Sequence, residues 1–229
     1  MYATLRVKQD LGSRVETALD VEDGKTDRRE QRRRAMIEAA RKLFLERGFD
    51  AVNVSDVVRR SGGSLSTLYD LFENKQGLLA AVALEHHSTG TERIDAIIAQ
   101  GEDPPATLAA IAQAIHEECM HPGKVGMMRV VMAESLRSPD FAQRLFETLH
   151  VPLVERLARL FAGWAEAGLA DISDARLAAN LFLGLLLYGH QMRAFVGERH
   201  DPDPALYEAA IRDSVRLFAA GYNVRARPA

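Results

Sequence analysis

Five side chains between positions 64 and 75 are of types that bind phosphate. They are the hydroxyls of Ser64, Ser66 and Thr67, the phenol of Tyr69 and the ammonium of Lys75. Hydroxyls and backbone N–H groups at the start of a helix suit an oxyanion, and a lysine adds charge. A second constellation, His116-x-x-Cys119-x-His121, offers N and S donors suited to zinc or copper. One cysteine and no evident fourth ligand make a poor zinc signature. The expectation is therefore no metal, with Cys119 a small, partly buried thiol. A third group consists of Met120, Met127, Met128, Met132 and Trp164, adaptable or flat apolar side chains in the middle of the chain. They read as plain core or as the lining of a pocket for an apolar ligand. His116, Asn180 and Tyr188 interrupt apolar helical stretches, and each needs a hydrogen-bond partner if buried. The ligand-binding candidates are His116, Met120, Met128, Met132, Trp164 and Asn180, with His116 as the orienting group because it can donate or accept near neutral pH. There is no Gly-rich phosphate loop, H-E-x-x-H or G-x-S-x-G, so no catalytic assembly and no cofactor is expected.

The elements that must position these residues read as helices throughout. Residues 1–27 form a leader without strong periodicity. Met36, Ala39, Ala40, Leu43 and Phe44 make one helical stripe, which predicts a helix over about 28–47 ended by Gly48. Asn53 caps a helix over about 54–61, with Asp56 in the position of a capping-box acid. Gly62-Gly63 ends it. Ser64 caps a short helix over about 65–71, and Asn74 caps a long one from Lys75 to about Ile98. Val57, Val58, Leu65 and Leu68 are expected to close a small core between the two short helices. Further helices follow over about 105–119, 125–136 and 141–167, the last bent at Pro152. Ser173 or Asp174 caps another to about Val196, and the last ends near Gly221. No segment sustains the alternation of a strand. The fold class is all-α, with about nine helices.

The chain has 229 residues, 47% apolar and 27% charged, in the range of ordinary globular proteins. This excludes a disordered tail, a collagen-like fibre and a disulfide scaffold. The single cysteine fits a reducing cytosol, so the expected location is cytoplasmic. The most apolar run, Leu177 to Gly189, is too short to span a bilayer and contains Asn180. It reads as a buried helix or a subunit interface. The net charge of −3 conceals an asymmetry: residues 28–75 carry +4, the remainder a net negative charge. A basic segment on an acidic body suggests that one part meets a polyanion.

Two short helices joined by a Gly-containing turn have the dimensions of a helix-turn-helix, whose second helix can enter a major groove. Residues 35–79 resemble the DNA-binding domain of TetR-type (tetracycline-repressor-like) transcriptional regulators. The matching residues are Ala40, Leu43, Phe44, Gly48 and Phe49, then Asn53, Asp56 and Val57, then Gly62, Ser64, Thr67, Leu68, Tyr69 and Phe72, then Asn74, Lys75 and Leu78. The resemblance implies an all-α homodimer that binds double-stranded operator DNA through its N-terminal helices and a small-molecule effector through a larger helical domain. It also implies that Asn53 caps its helix near a phosphate and that Ser64, Leu65, Ser66 and Thr67 start the groove-facing helix. Tyr69 and Lys75 would contact phosphates, and the last two helices would form the dimer interface.

This sequence departs from the family pattern at Leu65, often lysine there, at Ser66, often glycine, at Asp70, commonly basic, and at Val58, usually small. Leu65 can meet a thymine methyl but cannot hydrogen-bond a base edge. Gly77 removes the usual acid of its helix's first turn and costs up to about 1 kcal/mol of propensity. The expected organisation is a leader (1–27), a DNA-binding domain (28–75), a ligand-binding and dimerisation domain (76–221) and a tail (222–229). The expected function is a ligand-responsive regulator, a repressor released from a palindromic operator by a small, largely apolar effector. The alternatives are a helical interaction module or an all-α enzyme in which the helix-turn-helix only packs.

Overall fold

The computed structural model describes residues 27–120, 122–196 and 204–228, with the side chains at 86–89, 120, 122, 190, 193–196 and 204 excepted. The leader up to residue 26, the Met120 side chain and His121 lie outside the described residues. Helix α1 occupies 27–47. It is followed by α2 (Val54–Ser61), α3 (Leu65–Phe72), α4 (Lys75–Gln100), α5 (Pro104–Met120), α6 (Pro122–Arg137), α7 (Pro139–Leu145), α8 (Val151–Glu166), α9 (Ala175–Val196) and α10 (Pro204–Gly221). Among the described residues no strand occurs.

The breaks fall where the caps require them. Gly48, at φ +77°, returns its N–H to the Phe44 carbonyl and ends α1 in the left-handed conformation that glycine adopts freely. Ser64 caps α3 by accepting from the Thr67 N–H at 3.1 Å. Asp174, rather than Ser173, caps α9, its carboxylate accepting from the Leu177 N–H at 2.9 Å. The helix expected over 141–167 is continuous from Pro139 to Glu166 but changes its hydrogen-bond pattern midway. Residues Phe146–His150 form a π-turn in which the Val151 N–H reaches the Phe146 carbonyl. Pro152 has no N–H to give, and the wider turn just before it accommodates the lost bond.

The described residues divide into two compact units, one ending at Leu79 and the other beginning at Ala80. In the first, Met36, Ala39, Ala40, Leu43 and Phe44 of α1 are all buried, together with Val52, Val57, Leu68, Phe72, Leu78 and Leu79. Leu65 is not part of this core: it shares a stripe with Leu68 and Phe72 but is 44% exposed at the first position of α3. In the second unit the core centres on an aromatic cluster. Phe161 sits 5.3 Å from Trp164, 5.9 Å from Phe182 and 5.1 Å from Phe218, centroid to centroid. Such tilted and edge-on pairs add to the area they bury. Residues 222–227 are tied down. The Tyr222 carbonyl accepts from the Asp171 N–H at 2.7 Å, the Arg225 N–H donates to the Leu169 carbonyl at 2.8 Å, and the Arg227 N–H donates to Asp103 at 2.8 Å.

Helix α9 carries two apolar stripes. Ala178, Ala179, Phe182, Leu183 and Leu186 face the core, while Leu177, Leu181, Leu185, Tyr188 and Met192 form an exposed row at four- and three-residue spacing. The last helix buries Ile211 and Phe218 and exposes Leu206 and Leu217. Phe218 is thus core, not outer face.

Candidate nucleic-acid interface

The first unit presents α3 as a half-buried helix whose outer face is free of its own core. Leu68 and Phe72 anchor it, and Leu65, Ser66, Tyr69 and Asp70 are exposed. The Ser64 and Thr67 hydroxyls lie 2.8 Å apart and close the N-cap between them, so a phosphate there would meet a hydroxyl pair already ordered. Asn53 is exposed at the N-cap of α2, its N–H 3.5 Å from the Asp56 carboxylate. The helix-turn-helix turn is set by two glycines with different duties. Gly62 has φ +69°, a conformation that costs other residues strain. Gly63 lies against α1, where an added Cβ would come to 2.6 Å from Met36 Cε.

Lys75, on the first turn of α4, is positioned by two contacts. Its ammonium lies 4.3 Å from the centroid of the Phe49 ring and donates to the Asp50 carbonyl at 3.3 Å. The expected phosphate ligand is therefore also a clip between α4 and the turn after α1. Gly77 has a role that its low helix propensity conceals. A Cβ there would lie deep inside the Phe72 carbonyl oxygen and 3.1 Å from the carbonyl carbon. The Asn74 N–H meets that same carbonyl at 2.7 Å, and the Gly77 N–H is capped by Asn74 Oδ1 at 2.8 Å. Only glycine lets α4 start this close to the end of α3. No sequence signal distinguishes this glycine from a merely tolerated one, because the clash is with a carbonyl five residues away.

The electrostatics of the unit are dominated by internal pairs. Arg41 holds Glu38 down at about 2 by hydrogen bonding, with Lys42 assisting. Arg60 pairs with Glu46 at 2.9 Å and lowers that carboxyl as well. Arg47 and Arg59 both reach Asp56. Among the described residues Asp70 makes no ion pair, so the acid that replaces the usual base stands open on the exposed side of α3.

The expected ligand-binding residues are dispersed. Met128 and Met132 are exposed on α6, at 41% and 37%, instead of facing inward. Asn180 is also exposed, and its amide donates to the Arg176 carbonyl of its own helix at 2.9 Å. His116 is half-buried, its ring 5.2 Å from that of Tyr207. Burial pushes its imidazole below the ordinary value despite Glu117 nearby, which favours the neutral ring. Trp164 is buried in the aromatic core and also lines an open groove of about 600 Å³ with Arg159, Leu160, Leu169, Arg227 and Pro228. This groove takes in Trp164 alone of the expected set. Sequence reasoning missed its other residues, since the tail that supplies Arg227 and Pro228 is remote in sequence from α8. Cys119 is half-buried, and burial pushes its thiol up to about 11. Among the described residues no three His, Cys, Asp or Glu side chains form a metal-sized group, and no helix is long and apolar enough to cross a membrane.

Comparison with known proteins gives matches over both units. Residues 36–82 match the family model described as "Bacterial regulatory proteins, tetR family", and residues 106–224 match "AefR-like transcriptional repressor, C-terminal domain". The chain is 26% identical over 159 residues to the HTH-type transcriptional regulator UidR of Escherichia coli (strain K12), covering 67% of this chain and 79% of that one. A crystal structure of a TetR-family transcriptional regulator from Mesorhizobium loti superposes with a TM-score of 0.76 at 23% identity, over 85% of this chain and 98% of that one. GusR of Salmonella enterica superposes with a TM-score of 0.62 at 20% identity, over 82% and 94%.

Proposed function

The chain belongs to the TetR family of DNA-binding transcriptional regulators, and from that premise we propose that it is a homodimeric repressor. In this reading it is released from a palindromic operator in the cytoplasm by a small, largely apolar effector. The observation that carries the DNA-reading part is α3: anchored by Leu68 and Phe72, capped through Ser64 and Thr67, and exposed along Leu65, Ser66 and Tyr69. Asn53, Ser64, Tyr69 and Lys75 position the helix on phosphates. Leu65 and Ser66 meet base edges, with Leu65 suited to a thymine methyl.

Dimerisation is supported by the exposed row from Leu177 to Met192 on α9. An exposed apolar row along one helix of a folded unit suits an interaction surface. A two-fold dimer reads a two-fold operator. An apolar effector is supported by Trp164, Leu160, Leu169 and Pro228 around the groove, with Arg159 and Arg227 as the polar groups that could orient it. The effector acts by preferring one separation of the two recognition helices over the other. Nothing in the relatives points to catalysis; they are regulators.

The test is selection of bound fragments from random duplex DNA, with the unmodified chain, Ser66→Ala and Lys75→Ala. The selected sites should be inverted repeats. Lys75→Ala should weaken binding to all sites alike, and Ser66→Ala should reorder them. Selection of no consensus by the unmodified chain would refute sequence-specific regulation.

A further inference from the structure

We infer that Arg28, Arg29 and Arg32 form a phosphate clamp beside the helix-turn-helix, supplying most of the salt-dependent affinity of this protein for DNA. The inference rests on the DNA-binding reading above and adds to it a set of residues outside the motif. The first observation is a charge account of the first unit. Arg33 and Arg34 reach Glu30, Arg41 and Lys42 reach Glu38, Arg47 and Arg59 reach Asp56, and Arg60 reaches Glu46. Lys75 is held on the Asp50 carbonyl over the Phe49 ring. Arg28, Arg29 and Arg32 are exposed and make no ion pair among the described residues. A cation already matched by a carboxylate displaces fewer counterions from a phosphate than an unmatched one. Residues 28–34 carry five arginines and one glutamate, and residues 35–75 balance to zero, so the +4 of the segment is concentrated on two turns of α1.

The second observation is where those turns lie. Met36 touches the helix-turn-helix at Gly63, the residue immediately before the N-cap of α3. Arg28, Arg32 and Met36 follow one another at four-residue spacing, so they share a face of α1. A helical side chain leans toward the N-terminus of its own helix, which puts the Gly63 contact over the turn that carries Arg32. One turn is about 5.4 Å. The three arginines thus lie on the turns of α1 that precede its contact with the residue before the N-cap of α3. A guanidinium matches a phosphate with two parallel N–H donors, so the occupant is the DNA backbone.

The test uses the full chain and a fluorescein-labelled duplex of mixed sequence, with affinity measured by anisotropy at a series of salt concentrations. Replacing all three residues by glutamine (R28Q, R29Q and R32Q) should shallow the log–log salt slope by about 0.9 for each phosphate no longer neutralised. Affinity at moderate salt should fall at least about tenfold. Replacing the same three by lysine should restore most of the slope. Removing equal charge from the second unit, with R129Q, R137Q and R144Q, should leave the slope unchanged. Circular dichroism melts should coincide, because the replaced side chains are exposed. The clamp is overturned if the Arg28, Arg29 and Arg32 variant keeps the original slope, or if the second-unit variant loses as much. If the unmodified chain shows no salt-dependent binding to the duplex, the DNA-binding reading falls together with the clamp. Binding by the unmodified chain with an unchanged slope in the glutamine variant overturns the clamp alone.

Discussion

Gly77→Ala separates what helix propensity predicts from what the packing demands. By propensity alone the change stabilises α4 by about 1 kcal/mol, since alanine is the best helix former and glycine nearly the worst. The structure opposes this. An added Cβ meets the Phe72 carbonyl oxygen well inside the ordinary C···O contact of about 3.3 Å, so the carbonyl must retreat by on the order of 1 Å. That carbonyl is backbone, accepts from the Asn74 N–H at 2.7 Å and belongs to a residue that is 5% exposed. Moving it drags a core phenylalanine and disturbs the Asn74 cap on the Gly77 N–H. Overpacking costs about 1–3 kcal/mol, and loss of a cap about 1 kcal/mol. Against the propensity gain the net is a loss of about 2 kcal/mol, or about 4–8 °C in melting temperature for a chain of this length. Gly163→Ala is the control. It lies in α8 with nothing within 4 Å of an added Cβ, so it should gain about 0.5–1 kcal/mol. Thermal melts followed by far-ultraviolet circular dichroism compare the two. DNA affinity should fall in Gly77→Ala because the turn after Phe72 seats α3. A Gly77→Ala protein that melts at or above the Gly163→Ala protein would refute the reasoning.

Leu185→Arg, on the exposed row of α9, should give a folded monomer in sedimentation velocity. Phe218→Arg should unfold the second unit, because a charge would enter the aromatic core without a partner. A dimeric Leu185→Arg protein would place the interface elsewhere. Cys119 should resist iodoacetamide near neutral pH in the native protein and react readily in denaturant, since burial pushes the thiol up to about 11. The same shift keeps the folded thiol protonated where the unfolded one ionises, so its contribution to stability is intact below the ordinary thiol value and is lost as pH rises toward 11. Labelling of the native protein at the rate of the denatured one would contradict this.

The sequence by itself determined where the helices begin and end and which family the first unit resembles. Caps and breakers act within a few residues: Gly48 and Gly62 end α1 and α2, Ser64 and Asn74 start α3 and α4, and the expected α2 matches Val54–Ser61. The stripe of Met36, Ala39, Ala40, Leu43 and Phe44 is a property of one helix, so it is legible in one segment. Tertiary structure decided everything that needs a second segment. Leu65 and Leu68 are equally apolar, yet only Leu68 is buried by a neighbour. In α9, Leu183 and Leu186 are buried while Leu181 and Leu185 are exposed, a choice made by where α8 and α10 lie. Met128, Met132 and Asn180, expected to line a pocket, are exposed because, among the described residues, no neighbouring helix covers them. The +4 charge of residues 28–75 is countable in the sequence, but which arginines are matched depends partly on pairs such as Arg60 with Glu46, fourteen residues apart. Gly77 reads as a weak point in a helix until the Phe72 carbonyl is seen against it. Local sequence fixes dihedral preferences; burial, pairing and clash are properties of contacts, and only the folded chain makes the contacts.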